Sequence, residues 1–125
     1  MGKRYLLDTN TIIDFSVNRL PPKPHEWVAA LIDNEPIISI VTKIELLGFS
    51  EVPSQIILFT ENADILWLDE EIVRQTIELR KKHRFKLPDA IIAATALVHR
   101  LTLVTRNISD FKNIKRLEVQ NHWDV

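Results

Sequence analysis

The sequence predicts an α/β fold, a mainly parallel sheet covered on both faces by helices. Three observations predict it. Short apolar runs alternate with segments of helical periodicity. Most of those runs are continuously apolar rather than alternating, as strands buried on two faces are. The chain has 125 residues, 46% hydrophobic and 26% charged, which makes one ordinary globular domain, residues 1–125, able to bury a core without disulfides or structural metal.

Taken in order, Tyr5-Leu6-Leu7 is a buried strand that stops at Asp8-Thr9-Asn10-Thr11, a helix-start pattern leading into Ile12, Ile13 and Phe15. Residues 18–24, rich in proline, read as a loop; no function is assigned to them. His25 to Asp33 carries Trp27, Val28, Leu31 and Ile32 at helical spacing. Pro36 to Val41 is a second strand, rich in β-branched residues, and Thr42-Lys43-Ile44-Glu45 opens the next helix. Residues 53–61 read as helical and Ile65 to Leu68 as a third strand. Asp69 to Arg84 is the clearest helix, with acids in its first turn and bases in its last. Pro88 suits the first turn of another helix, whose body from Ala90 to Val98 is apolar almost all round and therefore buried. Leu101 to Val104 is a fourth strand. Ser109-Asp110-Phe111 starts a short helical turn, and Leu117-Glu118-Val119 supplies a half-exposed edge strand.

Absences narrow the function. Sixteen basic residues against seventeen acidic ones give a net charge of −1, so any nucleic-acid contact has to be a local basic patch. There is no Cys, which removes disulfides, thiol nucleophiles and Cys-ligated zinc. With two glycines, Gly2 and Gly48, neither a dinucleotide fingerprint nor a phosphate-binding P-loop can be built. No apolar stretch spans a membrane and no signal peptide is visible, so a cytoplasmic location is expected.

Four acids stand in unusual places: Asp8 after the first strand, Glu45 in the first turn after the second, Asp89 at the start of the apolar helix, and Asp110 shortly after the fourth strand. In an open parallel sheet the strand C-termini share one edge, where ligand sites form, so acids distant in sequence are expected to converge. Each has a structural reading too. Asp8 suits an Asx turn, Thr42 with Glu45 a capping box, Asp89 a helix dipole, and Asp110 a short cap. Crowded carboxylates repel by roughly several kcal/mol in a partly desolvated site, and no Lys or Arg stands out as an internal partner. A hard dication, Mg²⁺ or Mn²⁺, removes that conflict through oxygen ligands and serves phosphoryl chemistry.

Leu6-Leu7-Asp8-Thr9-Asn10, Ser39 to Phe49, Pro88 to Ala96 and Thr105 to Phe111 together resemble the ordered motifs of PIN-domain ribonucleases, and more narrowly VapC toxins of type II toxin–antitoxin modules. The resemblance covers nearly the whole chain. It implies a three-layer α/β/α fold, a Mg²⁺- or Mn²⁺-dependent endoribonuclease, a homodimer and a partner antitoxin. It makes Asp8, Glu45, Asp89 and Asp110 the acidic quartet. Asp8 and Asp89 are then the primary metal ligands, Glu45 a ligand through water or an orienter of the nucleophile, and Asp110 a ligand to a second metal or in the outer shell. Some family members carry an acid where Asn107 stands, so Asp110 and Asn107 share the claim to the fourth position. Thr9, Asn10, Thr42, Thr105 and Asn107 become supports that hold the carboxylates.

Arg80-Lys81-Lys82-His83-Arg84-Phe85-Lys86 carries five Lys or Arg in seven residues. It reads as a phosphate track for RNA beside the site or as a solvated helix end; Arg80, Lys81, Arg84 and Lys86 are the candidate contacts, with Arg106 a further one. His25, His83, His99 and His122 show no metal-site spacing. Trp27, Trp67 and Trp123 read as core or dimer contacts. Among alternatives, a receiver domain wants adjacent acids after strand one and a Lys after a late strand, and a haloacid-dehalogenase-like phosphatase wants Asp-x-Asp where position 10 is Asn. A catalytically inactive RNA- or protein-binding module stays open at this point.

Overall fold

The computed structural model describes residues 2–125. The chain alternates through β1 (Tyr5–Leu7), α1 (Thr9–Ser16), α2 (Pro22–Asp33), β2 (Ile37–Ser39), α3 (Ile40–Leu47), α4 (Ser54–Asn62), β3 (Asp64–Leu66), α5 (Glu70–Lys82), α6 (Leu87–His99), β4 (Thr102–Val104), α7 (Ile108–Phe111) and β5 (Val119–Gln120). The five strands form one sheet in the order β3-β2-β1-β4-β5, and every pairing is parallel. The last strand is an edge strand as expected, but it spans Val119–Gln120 rather than Leu117 to Val119.

Side chains alternate faces along each strand, and the three central strands use both faces for core. Leu6, Ile37 and Leu103 pack with Ile72 and Leu79 of α5, Ile92 and Ala96 of α6, and Phe111 of α7. Their neighbours Leu7, Ile38 and Val104 pack on the other side with Ile12 of α1, Leu46 of α3 and Ile56 of α4. Two cores on one sheet make the expected three-layer α/β/α arrangement.

Several boundaries differ from the sequence reading, each for a local reason. The 18–24 segment is not all loop: α2 begins at Pro22, because a proline in the first turn has no N–H that the helix would have used. The second strand ends at Ser39, not Val41. The Ser39 side chain accepts from Val41 N at 3.0 Å and caps α3, so the expected Thr42–Glu45 capping box does not form and Thr42 lies buried inside the helix. The third strand stops at Leu66, leaving Trp67 and Leu68 exposed. Helix α5 ends at Lys82, so His83, Arg84 and Phe85 form a connector to α6.

The strand order reverses between β1 and β4. From β1 the chain moves outward through β2 and β3, then crosses back to β4 on the other side. Such a switch point opens a crevice beyond the strand C-termini. Asp8 and Thr105 flank it, fixed in register by the Leu7–Val104 pairing and the Asp8 N to Val104 O hydrogen bond of 2.9 Å.

Candidate active site

Asp8 leaves β1 directly into the crevice and is 5% exposed. Its Oδ1 accepts from Thr9 N at 2.8 Å and caps α1. The structural role is therefore real, but it occupies one oxygen. Oδ2 accepts from Asn10 Nδ2 at 3.2 Å. The Thr105 hydroxyl accepts from Asn10 Nδ2 at 3.0 Å and from Asn107 N at 3.1 Å, which leaves its proton for Asp8. Thr9 donates to Glu45 Oε1 at 2.5 Å and lies 3.4 Å from the Thr42 hydroxyl. Thus α1 and α3 are tied together by the groups that hold two of the four acids.

Asp89 enters in the first turn of α6 and is half-buried. Glu45, Asp89, Asn107 and Asp110 line one cleft of about 870 Å³; Asp8 does not line it but lies buried within electrostatic reach of Asp89 and Glu45. Neighbouring anions act on Asp8 and on Asp89. Burial pushes the Asp8 carboxyl up, hydrogen bonds from Thr105 and Thr9 oppose this, and the charges of Asp89 and Glu45 add to the rise. Burial likewise raises Asp89, reinforced by Asp110 and Glu45, with Lys86 pulling the other way. Asp110 lies exposed in the first turn of α7 and does not cap it; Asn107 holds the N-cap position. Both contenders for the fourth position therefore reach the same cleft.

This donor set is all oxygen. Among the described residues no three His, Asp or Glu side chains are gathered tightly enough to hold an ion by themselves. Mg²⁺ does not require that, because it retains several waters and is commonly held by one or two carboxylates together with phosphate oxygens. A buried Asp8 and a half-buried Asp89, each raised first by burial and further by neighbouring anions, fit such a cation.

Over this frame, the sequence model of the PIN domain matches residues 5–117. The chain belongs to the PIN-domain family. It is 31% identical to Ribonuclease VapC1 of Haemophilus influenzae, with 94% of this chain and 96% of that protein covered. It is 30% identical to Ribonuclease VapC2 of Rickettsia felis, covering 96% and 98%. Among solved structures, a toxin-antitoxin complex from Klebsiella pneumoniae superposes with a TM-score of 0.77 at 29% identity, over 97% of this chain and 99% of that one. These similarities place this PIN domain with the VapC proteins.

Cationic residues flank the cleft of this PIN domain unevenly. Arg84 and Lys86 line it, as does Lys82, which the sequence reading did not single out. Arg80 faces a shallower groove shared with His83, Arg84, Phe85 and Lys86, and Lys81 lies exposed, bordering neither hollow. Arg106 is already engaged: its Nη1 donates to Asp14 at 2.7 Å.

Asp14 is the residue that sequence reasoning missed. It is fully buried in α1, and its carboxylate is the hub of a network. Oδ1 accepts from Arg106 and, at 2.9 Å, from Arg19. Oδ2 accepts from Trp123 Nε1 at 2.9 Å and lies 2.9 Å from His122 Nε2. His122 Nδ1 is 3.1 Å from the Thr11 hydroxyl. Burial alone would raise Asp14, but the hydrogen bonds from His122 and Trp123 and the Arg106 charge outweigh it and hold the carboxyl below its usual range. Burial pushes the His122 imidazole down against the pull of Asp14. The network joins the site's framework, since Arg106 N donates to Asn10 Oδ1 at 3.2 Å. The only sequence signal was an acid among the apolar residues of α1.

Proposed function

We propose that this chain is a VapC-type toxin, a Mg²⁺- or Mn²⁺-dependent endoribonuclease that cleaves RNA phosphodiesters and is neutralised by a cognate antitoxin protein. The observation that supports the metal-dependent chemistry is the gathering of Glu45, Asp89 and Asp110 along one cleft, with a buried Asp8 close enough for the charges of Asp89 and Glu45 to act on it. The VapC relatives support RNA as the substrate. The solved toxin–antitoxin complexes, one of them VapBC2 of Rickettsia felis bound to a promoter DNA fragment, support the partner.

Asp8 and Asp89 are the residues to hold the cation, with Asp110 or Asn107 at the fourth position. When bound, the ion supplies Lewis acidity at the phosphoryl oxygens and lowers the pKa of a coordinated water. Glu45, oriented by Thr9, takes the proton of the attacking water or aligns it. Asn10 and Thr105 fix Asp8, and Thr42 supports Thr9. Lys82, Arg84 and Lys86 receive flanking phosphates at the cleft and offset the negative charge the acids present to RNA. A homodimer is supported by Val73 and Ile77, one turn apart on α5 and exposed, and by exposed Trp67 and Leu68 just before it.

The test is RNA cleavage by purified protein. Asp89→Asn is expected to remove Mg²⁺- and Mn²⁺-dependent cleavage while its circular dichroism stays native. Cleavage at the parental rate would overturn the assignment. A protein that binds RNA yet never cleaves it, in any dication, would instead leave the inactive binding module.

A further inference from the structure

Two guanidinium groups share a single carboxylate oxygen. Arg19 Nη1 and Arg106 Nη1 both donate to Asp14 Oδ1, and neither guanidinium has another side-chain or backbone acceptor among the described residues. An arginine carries five N–H donors in a planar fork, so most donors of each remain free. Both side chains are about half exposed, 50% for Arg19 and 45% for Arg106, while Asp14 is wholly buried. The carboxylate thus acts as an internal clamp that fixes two like charges side by side at the surface.

The charge count is unbalanced. One carboxylate faces two guanidiniums whatever the state of the imidazole, and no second acid contacts the pair among the described residues. The backbone is shaped to build this arrangement. Asn18 takes a left-handed conformation, φ 57°, which Asn tolerates better than most residues. That turn folds Arg19 back so that its N–H donates to Asp14 O at 3.0 Å. On the other side, Arg106 is held by the Asn10 bond to its own N–H. Freely mobile surface arginines need none of this. Two preset forks with a net positive charge match a phosphate, which guanidinium binds in bidentate fashion.

The position selects the source of that phosphate. Asn10 bonds the Arg106 backbone N–H through Oδ1 and Asp8 through Nδ2, so the backbone that carries Arg106 is one side chain removed from Asp8, while the guanidinium pair is held at Asp14, further along the same helix α1. Lys82, Arg84 and Lys86 approach that cleft from the α5–α6 connector, whereas Arg19 follows α1 and Arg106 follows β4. A strand crossing the acids would meet cations from separate elements. We propose that Arg19 and Arg106, locked by Asp14, form a phosphate-binding site for the RNA backbone next to the acidic cleft. This rests on the ribonuclease reading and adds a substrate contact to it.

The experiment uses the full chain carrying Asp8→Asn, so that RNA survives the measurement. Binding of a fluorescent single-stranded RNA is followed by anisotropy across a KCl series, for this parent and for Arg19→Gln, Arg106→Gln and the pair combined. His122 and Trp123 still bond Asp14 in all of them, and thermal melting checks the fold. Arg19→Lys with Arg106→Lys serves as a milder variant that keeps the charge. The double Gln variant is expected to bind at least tenfold more weakly at low salt, with a salt slope shallower by about 0.7 for each phosphate no longer neutralised; the double Lys variant falls between. Equal affinity and slope in parent and double Gln variant overturn the site and leave the ribonuclease reading standing. A parent that binds no RNA overturns both. Unchanged RNA binding with weakened stabilisation by inorganic phosphate assigns the pair to a free anion, and unchanged RNA binding with weakened antitoxin binding assigns it to a protein; either result overturns the RNA contact.

Discussion

Asp14 and Asp8 are buried carboxylates with opposite electrostatics, and acid titration separates them. Asp14 has a folded pKa below its ordinary 3.8, so its stabilising contribution is whole above that value and is lost as pH falls through the folded value. His122 is also depressed, from 6.5. Below 6.5 the unfolded chain binds more protons than the folded one, so stability declines as pH drops from there. His122→Gln is expected to flatten that decline in denaturant unfolding between pH 6.5 and 5. Asp8 and Asp89 run the other way. Their raised values mean the charged forms cost stability at neutral pH, a cost relieved on acidification. Asp8→Asn, which keeps the cap on α1, is therefore expected to melt no lower than the parent without added metal while losing all cleavage. Asp14→Ala strands the buried His122 donor and the half-buried Trp123 donor and is expected to cost about 3 kcal/mol in urea unfolding. The sequence singled out the four acids of the quartet because each stands near the end or the start of an apolar run. It did not show Asp14, because three of its four side-chain partners lie 92 to 109 residues away and leave no local pattern.

Helix ends were harder to read than helix bodies, and caps explain why. Ser39 and Thr42 both suit an N-cap; the strand register that buries Ile38 ends the extended chain at Ser39 and settles the competition. Prolines 22 and 24 looked like breakers, yet the first turn of α2 tolerates both. Helix α6 closes on Arg100 with φ 56° and ψ 48°, a left-handed cap that costs a side-chain-bearing residue roughly 1–2 kcal/mol. Arg100→Gly is expected to stabilise the domain by about 0.5–1 kcal/mol after the entropy that glycine loses, a few degrees in Tm by calorimetry. Gly48, after α3, is the reverse case. A Cβ there would stand 2.8 Å from Ile44 O, so Gly48→Ala is expected to shift the end of α3 and lower Tm.

For the molecule as a whole, the parallel α/β architecture was legible because continuous apolar strands alternating with helices admit few topologies. The strand order was not, since nothing in β3 announces that the chain next crosses to the far side of β1. That crossing makes the crevice, and with it the expected response to metal. Mg²⁺ or Mn²⁺ at ten times its Kd should stabilise the folded state by about 1.4 kcal/mol, read as a rise in Tm that Asp8→Asn and Asp89→Asn abolish. Ile77→Lys, on the exposed face of α5, is expected to convert a dimer to a monomer in sedimentation without altering the circular dichroism.

The Asp14 hub also orders events during synthesis. Its carboxylate emerges early, but His122 and Trp123 leave the ribosome some hundred residues afterwards. Until then α1, which carries Asp8 at its cap, has only the arginine contacts of Asp14 in hand, so a nascent chain arrested short of residue 122 should remain protease-sensitive.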